Sequence, residues 1–504
     1  MPLLRTPSRI VRAVALVIAL APAALGQDQP QPSPPTEKIT VKSLVAETGA
    51  AFERGDYARA EELLRKHLAA DPNNFVVYYN LACARALQGD PKDAGEWLVK
   101  AVEHGFTDLR YMQADPMLDA ARQDPNYKTL VENWEIILKA RRDADVKRLE
   151  EQYKDGYATS TDDRLRLTYR SAFHPAAFEA ARAEMARLAE WANTDVIPGI
   201  IDSTGEHDDA WVSVILPTRD DFTTWVARRY GQEALEGLST IGGAYTHDNK
   251  QLIAMDLGGT LRHEFFHILH WRSMTRLGQR HPIWVMEGLC SLVEDYDLGP
   301  EGQIIPATSW RTNLIKRREK IGKLFKIEQF VQVSQTKFTG TVPLAHYAQA
   351  RAIFLFLHQR GKLKEWYTHY TSTYADDPTG LASLQAVLAL TPKEFDREFR
   401  EWVRALPEVP EEIKPGMASL GLEIDAGEGE GVIVTRLMKP QFIEGSLKVG
   451  DVVTAIDDKP VRDQAELVRV LAGFAPGDEV SISYRRAKKL GECRLKLVAK
   501  PRSR

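Results

Sequence analysis

A 34-residue repeat near the N-terminus places the strongest limit on how this chain can fold. Gly55, Asp56, Ala60 and Leu64 recur as Gly89, Asp90, Ala94 and Leu98, each 34 residues later. A unit of that length is a pair of helices that cannot bury its apolar face alone, so neighbouring pairs must stack. Small Ala60 and Ala94 let paired helices approach closely, the Gly-Asp dipeptide makes the turn within each pair, and Asp71-Pro72 ends the first unit. Two repeats are legible, followed by a degenerate helical continuation to about residue 134. At 504 residues the chain has room for roughly three domains of about 150 residues each, so most of it must fold some other way.

Composition bounds the partners. The chain is 44% hydrophobic and 27% charged with a net charge of −4, the make-up of a globular protein, and nothing in that balance suits a nucleic-acid polyanion. The densest basic run, residues 316–326, reads as a solvated helix face. At the N-terminus Arg5, Arg9 and Arg12 precede a short apolar run, and Ala24 and Gly26 then stand at the small positions of a cleavage site. Residues 1–26 are therefore expected to be a signal peptide. The mature chain would start near Gln27, be exported to the periplasm or the extracellular space, and hold no integral membrane segment; an uncleaved anchor is the alternative. Residues 27–40 form a Pro/Gln-rich linker. Cys83, Cys290 and Cys493 are odd in number and far apart, which argues for small buried apolar residues rather than a disulfide framework.

Beyond the repeats (41–134) comes a charged helical connector (135–160). The patterning then changes: residues 164–170 alternate like a strand, 176–193 have helical spacing, 210–217 read as a strand, and 241–256 read as a Gly-rich turn feeding another strand. The next helix, with Thr260 as its expected N-cap, carries "LRHEFFHILHW" (261–271). Residues i and i+4 share a helix face, so His263 and His267 can offer two imidazoles to one ion, and Glu264 at their flank can reach an attacking water without ligating the metal. A catalytic zinc needs a third protein ligand and one open position. Fifteen residues after His267, "PIWVMEGLCSLVE" (282–294) has helical spacing with Trp284, Leu289 and Val293 facing inward, and Glu287 lies twenty residues past His267. Glu287 is the expected third ligand to a single Zn²⁺ and Glu294 the weaker candidate. His270 is expected beside or at the rim of the site, and His247 and His281 flank it in sequence only.

Over about 165–400 these motifs resemble the gluzincin metallopeptidases whose third-ligand segment reads Trp-x-x-Glu-Gly-Leu/Phe-Ala, here "WVMEGLC" with Cys290 where Ala is usual. The resemblance implies a zincin-type domain over 161–405, a mixed sheet and motif helix followed by a mostly helical half. It implies substrate backbone pairing on residues 251–255. It implies Glu264 as general base, and an oxyanion donor some sixty residues past the glutamate ligand, where Tyr347 stands with His346 as runner-up. Some relatives have a carboxylate where this chain has Ser291, which leaves the orientation of the ligands open. The 34-residue period is that of tetratricopeptide units, whose concave face serves either to bind a protein partner or only to hold domains together.

After a proline-bearing linker (408–416), "GSLKVGDVVTAIDDKPV" resembles the core of PDZ domains of bacterial periplasmic proteases, and the likeness spans nearly all of 415–500. Gly450-Asp451 is expected to form a turn and Val452–Ile456 a buried strand. The resemblance implies a carboxylate-binding loop at Leu420, Gly421 and Leu422 that captures a peptide C-terminus. The expected fold is thus multidomain α+β: helical repeats, a zincin-type domain, and a PDZ β-barrel or sandwich with helices over 411–500. The expected function is an exported zinc metallopeptidase acting on peptides or proteins. Endo-action is favoured because "GGAYTH" (242–247) lacks a carboxylate to hold a substrate amine. A non-catalytic peptide-binding scaffold with a structural zinc, and zinc-assisted hydrolysis of a non-peptide amide, are the alternatives.

Overall fold

A computed structural model describes residues 41–201, 209–235, 242–427 and 429–502; the expected signal peptide and the linker after it lie outside these. The chain divides into two compact units, with the main boundary between Arg141 and Arg142 and with residues 209–210 belonging to the first.

In the first unit, α1 (Val41–Glu53) pairs with α2 (Tyr57–Ala70) and α3 (Phe75–Leu87) with α4 (Pro91–Glu103). Both pairs turn the same way. Gly55 and Gly89 take positive φ of 73° and 80°, a conformation open to glycine, and Asp56 and Asp90 then cap the second helix by accepting the amides of Arg59 and Asp93. Ala60 and Ala94 are fully buried at the contacts. Short helices α5 (Leu109–Ala114) and α6 (Pro125–Glu132) continue the stack, and α7 (Trp134–Gln152) runs across the boundary between the units.

The second unit opens with a five-stranded sheet and helices in the order β1 (Ala158–Asp162), β2 (Leu167–Ser171), α8 (Pro175–Asp195), β3 (Val212–Leu216), α9 (Arg219–Tyr230), β4 (Gly243–Thr246), β5 (Gln251–Ala254) and α10 (Gly259–Leu277). Its strand order is β1-β2-β3-β5-β4, parallel through β2, β3 and β5 and antiparallel at both edges. The edge beside the motif helix is therefore β4, and β5 is interior. The expectation that residues 251–255 offer a free edge is corrected: the turn at 247–250 folds Gly243–Thr246 back onto them and uses their hydrogen bonds.

The helical half follows. It contains α11 (Ile283–Leu292), a small β6 (Tyr296–Leu298) and β7 (Ile304–Pro306) hairpin, α12 (Trp310–Lys320), α13 (Ile327–Phe330), α14 (Gln335–Gly340), α15 (Pro343–Gln359), α16 (Leu363–Ser372), α17 (Leu381–Leu388) and α18 (Pro392–Ala405). Its core is aromatic. Trp284 is fully buried, stacked on Phe354 at 5.3 Å between ring centroids and tilted against Trp366 at 5.7 Å, and its indole N–H donates to the Thr379 carbonyl at 3.0 Å. Burying so large a side chain contributes about 1.5–3 kcal/mol and pins α11 against α15.

The C-terminal module consists of β8 (Ala418–Ser419), β9 (Leu422–Ala426), β10 (Val432–Leu437), β11 (Gln441–Glu444), β12 (Val452–Ile456), β13 (Lys459–Pro460), α19 (Gln464–Leu471), β14 (Glu479–Arg486), β15 (Lys489–Lys496) and β16 (Val498–Ala499). Its main sheet runs β11-β15-β14-β12-β10-β9, leaving β9 at an edge, with Leu422 and Ile424 half-buried against the core that holds Leu467 and Leu471 of α19. Cys83, Cys290 and Cys493 are buried and free. Among the described residues no helix is long and apolar enough to cross a membrane.

Candidate metal centre

The motif helix α10 starts without the expected cap. Gly258 is the N-cap residue and makes no side-chain bond. The Asp256 carboxylate does the work instead, accepting from the amides of Gly258 and Thr260 at 2.8 and 3.2 Å and from the Thr260 hydroxyl at 2.5 Å. A carboxylate suits this end of a helix better than a hydroxyl, because it also meets the dipole. Five residues on, His263 and His267 lie on one face, their ring centroids 5.0 Å apart.

The N-terminal half of α11 brings Glu287 to them. One carboxylate oxygen, Oε2, lies 3.3 Å from His263 Nε2 and 3.7 Å from His267 Nε2. Four ligands at the usual zinc distance of about 2.0–2.1 Å in a tetrahedron stand roughly 3.3–3.4 Å from one another, so the Glu287 oxygen stands at that edge from His263 and slightly beyond it from His267. Cys290, one turn beyond Glu287, is a competing donor: its sulfur and the two imidazoles lie within 4.8 Å of one another. That limit exceeds a ligand-to-ligand edge, and burial keeps the thiol well above its ordinary pKa, so the glutamate is the better third donor.

Electrostatics make the cluster a tight acid–base assembly. Burial alone would lower the His263 imidazole, but carboxylates at both ring nitrogens hold it up to about 10. Burial opposes ionisation of Glu287, yet the neighbouring His267 and His263 hold its carboxyl well below the usual range. Glu264 is raised by burial against the pull of the same two imidazoles, and accepts a hydrogen bond from the Tyr245 amide of edge strand β4.

Glu294, the weaker candidate for third ligand, faces the other nitrogen of His263. It accepts from Nδ1 at 2.9 Å while Arg311 donates to the same carboxylate from Nε and Nη2 at 2.6 and 2.9 Å. This is the carboxylate that fixes tautomer and ring orientation, a role the sequence left open at Ser291. Ser291 itself is fully buried and its hydroxyl makes no hydrogen bond among the described residues. The signal available was the spacing of Glu294 from Glu287, two helical turns, together with an arginine on the next helix.

Tyr347, on α15, reaches the site: its hydroxyl bonds Glu287, and its ring lies 6.4 Å from His263 and under the Arg311 guanidinium at 5.5 Å. Burial, with Glu287 and Glu264 adding to it, keeps the phenol protonated well past its usual range. His346 turns the other way, its Nδ1 on the Phe338 carbonyl at 2.9 Å and its ring stacked on Phe325 and Phe338. His270 is not at the rim either. It is fully buried and pairs with His281 through Nε2 and Nδ1 at 2.7 Å, while His247 stacks on Trp271.

In the C-terminal module Gly421 takes φ of 69°, and its carbonyl accepts from the amides of Met438 and Lys439. A side chain there would meet the Lys439 carbonyl at 2.8 Å, so the bend between Leu420 and Leu422 requires glycine.

Comparison with known proteins agrees with both flanking regions. Residues 418–497 match the model of the PDZ domain, and residues 51–114 match that of the tetratricopeptide repeat. Among curated proteins, the chain is 36% identical over 56 residues to the chloroplastic Protease Do-like 8 of Arabidopsis thaliana, covering 11% of this chain and 12% of that one. It is 29% identical over 94 residues to a probable periplasmic serine endoprotease DegP-like of Brucella suis, covering 18% of each. The chain thus spans less than a fifth of the length of these relatives. Among solved structures it is similar to an HtrA-type protease with decapeptide (24% identity, TM-score 0.15, 17% of this chain and 30% of the other). It is also similar to an aminopeptidase N family protein from Idiomarina loihiensis (14% identity, TM-score 0.26, 66% of this chain and 65% of the other). The chain is a multidomain α+β protein with tetratricopeptide-like repeats toward its N-terminus and a PDZ domain at its C-terminus.

Proposed function

We propose that this chain is an exported zinc-dependent endopeptidase. The observation that carries the reading is the convergence of His263, His267 and one oxygen of Glu287 at ligand spacing, with Glu264 beside them and a phenol opposite. His263, His267 and Glu287 would hold the ion and leave one position open. When bound, zinc supplies Lewis acidity, making a water nucleophilic near neutral pH and polarising the scissile carbonyl.

The remaining chemistry belongs to the chain. Glu264, buried and therefore more basic than an exposed carboxylate, takes the proton of the attacking water and passes it to the leaving amine. The Tyr347 hydroxyl, kept protonated, donates to the developing oxyanion. Glu294 and Arg311 hold the His263 ring in place. Strand β4 offers an edge on which a substrate backbone can pair, and its residues Gly243, Ala244, Tyr245 and Thr246 include no carboxylate to fix an α-amine, which favours cleavage within chains. The PDZ domain and the repeats would bind a peptide C-terminus and a protein partner.

Cys290 favours a second reading. Were its sulfur a fourth ligand, the site would be closed, the zinc structural and the protein a peptide-binding scaffold. The deciding experiment is cleavage of a mixed peptide library by zinc-loaded protein, beside Glu264→Gln and Cys290→Ala. Cuts made by the parent and by Cys290→Ala but absent from Glu264→Gln support the peptidase. No cuts by any of the three, with zinc lost from Cys290→Ala, would establish the scaffold.

A further inference from the structure

The PDZ domain touches the metal centre through one buried side chain. Arg262 immediately precedes His263 on α10 and is only 4% exposed. Its Nη1 donates to Glu184 of α8 at 3.0 Å, and its Nη2 donates both to Glu466, in the first turn of PDZ helix α19, at 3.0 Å and to the backbone carbonyl of Glu294 at 2.5 Å. Arg462, just before α19, pairs with the other oxygen of Glu184 and gives its amide to the second oxygen of Glu466 at 2.9 Å. The Tyr296 hydroxyl closes the cluster on Glu184 at 2.5 Å.

Nearby the backbones meet. The Leu257 amide donates to the Gly429 carbonyl at 2.8 Å, and a side chain at Gly429 would strike the Met255 carbonyl at 2.2 Å. The contact therefore falls on the segment that connects β5 to the motif helix.

These contacts form a chain of directional bonds into the site. Glu466 holds the Arg262 guanidinium; that guanidinium holds the Glu294 carbonyl at the end of α11; the Glu294 carboxylate receives His263 Nδ1. Because the same residue 294 supplies the carbonyl that is clamped and the carboxylate that orients the imidazole, its backbone position sets the ring's. We propose that the PDZ domain completes the metal centre: through Glu466 it fixes Arg262 as a positioning residue for Glu294, and thereby orients His263 toward the ion. This inference rests on the reading of His263, His267 and Glu287 as the metal site.

The test uses the full chain and two readouts other than cleavage, zinc affinity by chelator competition and the visible absorption of the cobalt-substituted protein. Partners of ligating histidines typically contribute 10- to 100-fold in affinity, and an effect transmitted through one more residue belongs at the lower end. Glu466→Ala is expected to bind zinc about tenfold more weakly and to shift the cobalt bands. Glu466→Gln, which keeps an oxygen for Arg262, should stay close to the parent, and Glu479→Ala, an exposed carboxylate of the same domain paired with Arg494, should match it. Parent-like affinity and cobalt spectrum in Glu466→Ala would overturn the proposal. Should that variant fail to fold, Glu466→Asp keeps the interface charge but withdraws it from Arg262, and parent-like values there would overturn the proposal equally. A parent protein that binds neither zinc nor cobalt would sink the metal-centre reading itself, a different result from an unresponsive Glu466.

Discussion

At the scale of single residues the site separates binding from chemistry. Glu264 touches neither ring nitrogen at ligand distance, so Glu264→Gln should retain one zinc per chain, by elemental analysis, while peptide cleavage falls by about 10²–10⁴-fold. Tyr347→Phe removes one oxyanion donor and should lower kcat by about 10²–10³-fold with KM little changed, measured on any peptide the parent cuts. His263 supplies a third test. In the metal-free protein its carboxylate neighbours hold it protonated up to about pH 10, and a protonated imidazole cannot ligate. The proton must leave when metal enters, so affinity should weaken as pH falls from 10 toward 6.5, by about tenfold per pH unit. Calorimetry in buffers of different ionisation enthalpy should show about one proton released per zinc at pH 7.

At the scale of elements, close packing sets how α11 presents Glu287. Gly288 faces α15, where a Cβ would lie 2.6 Å from the Phe354 ring and 3.0 Å from the Ala350 carbonyl. Gly288→Ala should therefore cost about 1–3 kcal/mol of stability and weaken zinc binding with it, since the helix can relieve the clash only by moving the adjacent glutamate; thermal melts and chelator titration would show both. The contact between α10 and the following helices carries a pH signature. Burial holds His270 and His281 neutral, His281 down to about 3. An unfolded chain protonates both below about 6.5, so stability is intact above that pH. It then declines as pH falls through 6.5, for His281 by about 1.4 kcal/mol per pH unit down to about 3, with His270 adding in the same direction. Urea titrations of the zinc-loaded protein at pH 7 and 5 should show a smaller loss for His281→Gln. Helix periodicity made α10 and α11 legible, with the histidines on one face, because i and i+4 geometry is local. It could not show that His270 faces an aromatic core, that β4 rather than β5 is the edge strand, or that Asp256 caps in place of Thr260. Those depend on which segment folds back on which.

At the scale of the whole molecule, the parts most legible in the sequence were those that repeat or match a compact pattern. The Gly-Asp turns of the repeats use the same positive φ and the same capping carboxylate twice, and the PDZ core carries its glycines at fixed turns. The union of the PDZ domain with the neighbouring α+β region left no local trace: Glu184, Arg262, Arg462 and Glu466 are scattered over nearly three hundred positions and look like ordinary surface charges until the fold brings them together. An exposed pair such as Arg494 and Glu479 contributes about 0–1 kcal/mol, and either partner can drift freely. Those four are two cations and two anions whose charges cancel; Glu184, Arg262 and Arg462 are buried and Glu466 half-buried, and removal of a buried member leaves a desolvated charge at a cost of up to about 3–5 kcal/mol. Descent should therefore treat them as a single inherited character. Among relatives that keep both domains, all four positions should be charged together or replaced together by apolar residues, and lineages that have shed the PDZ domain should have lost Arg262 as well.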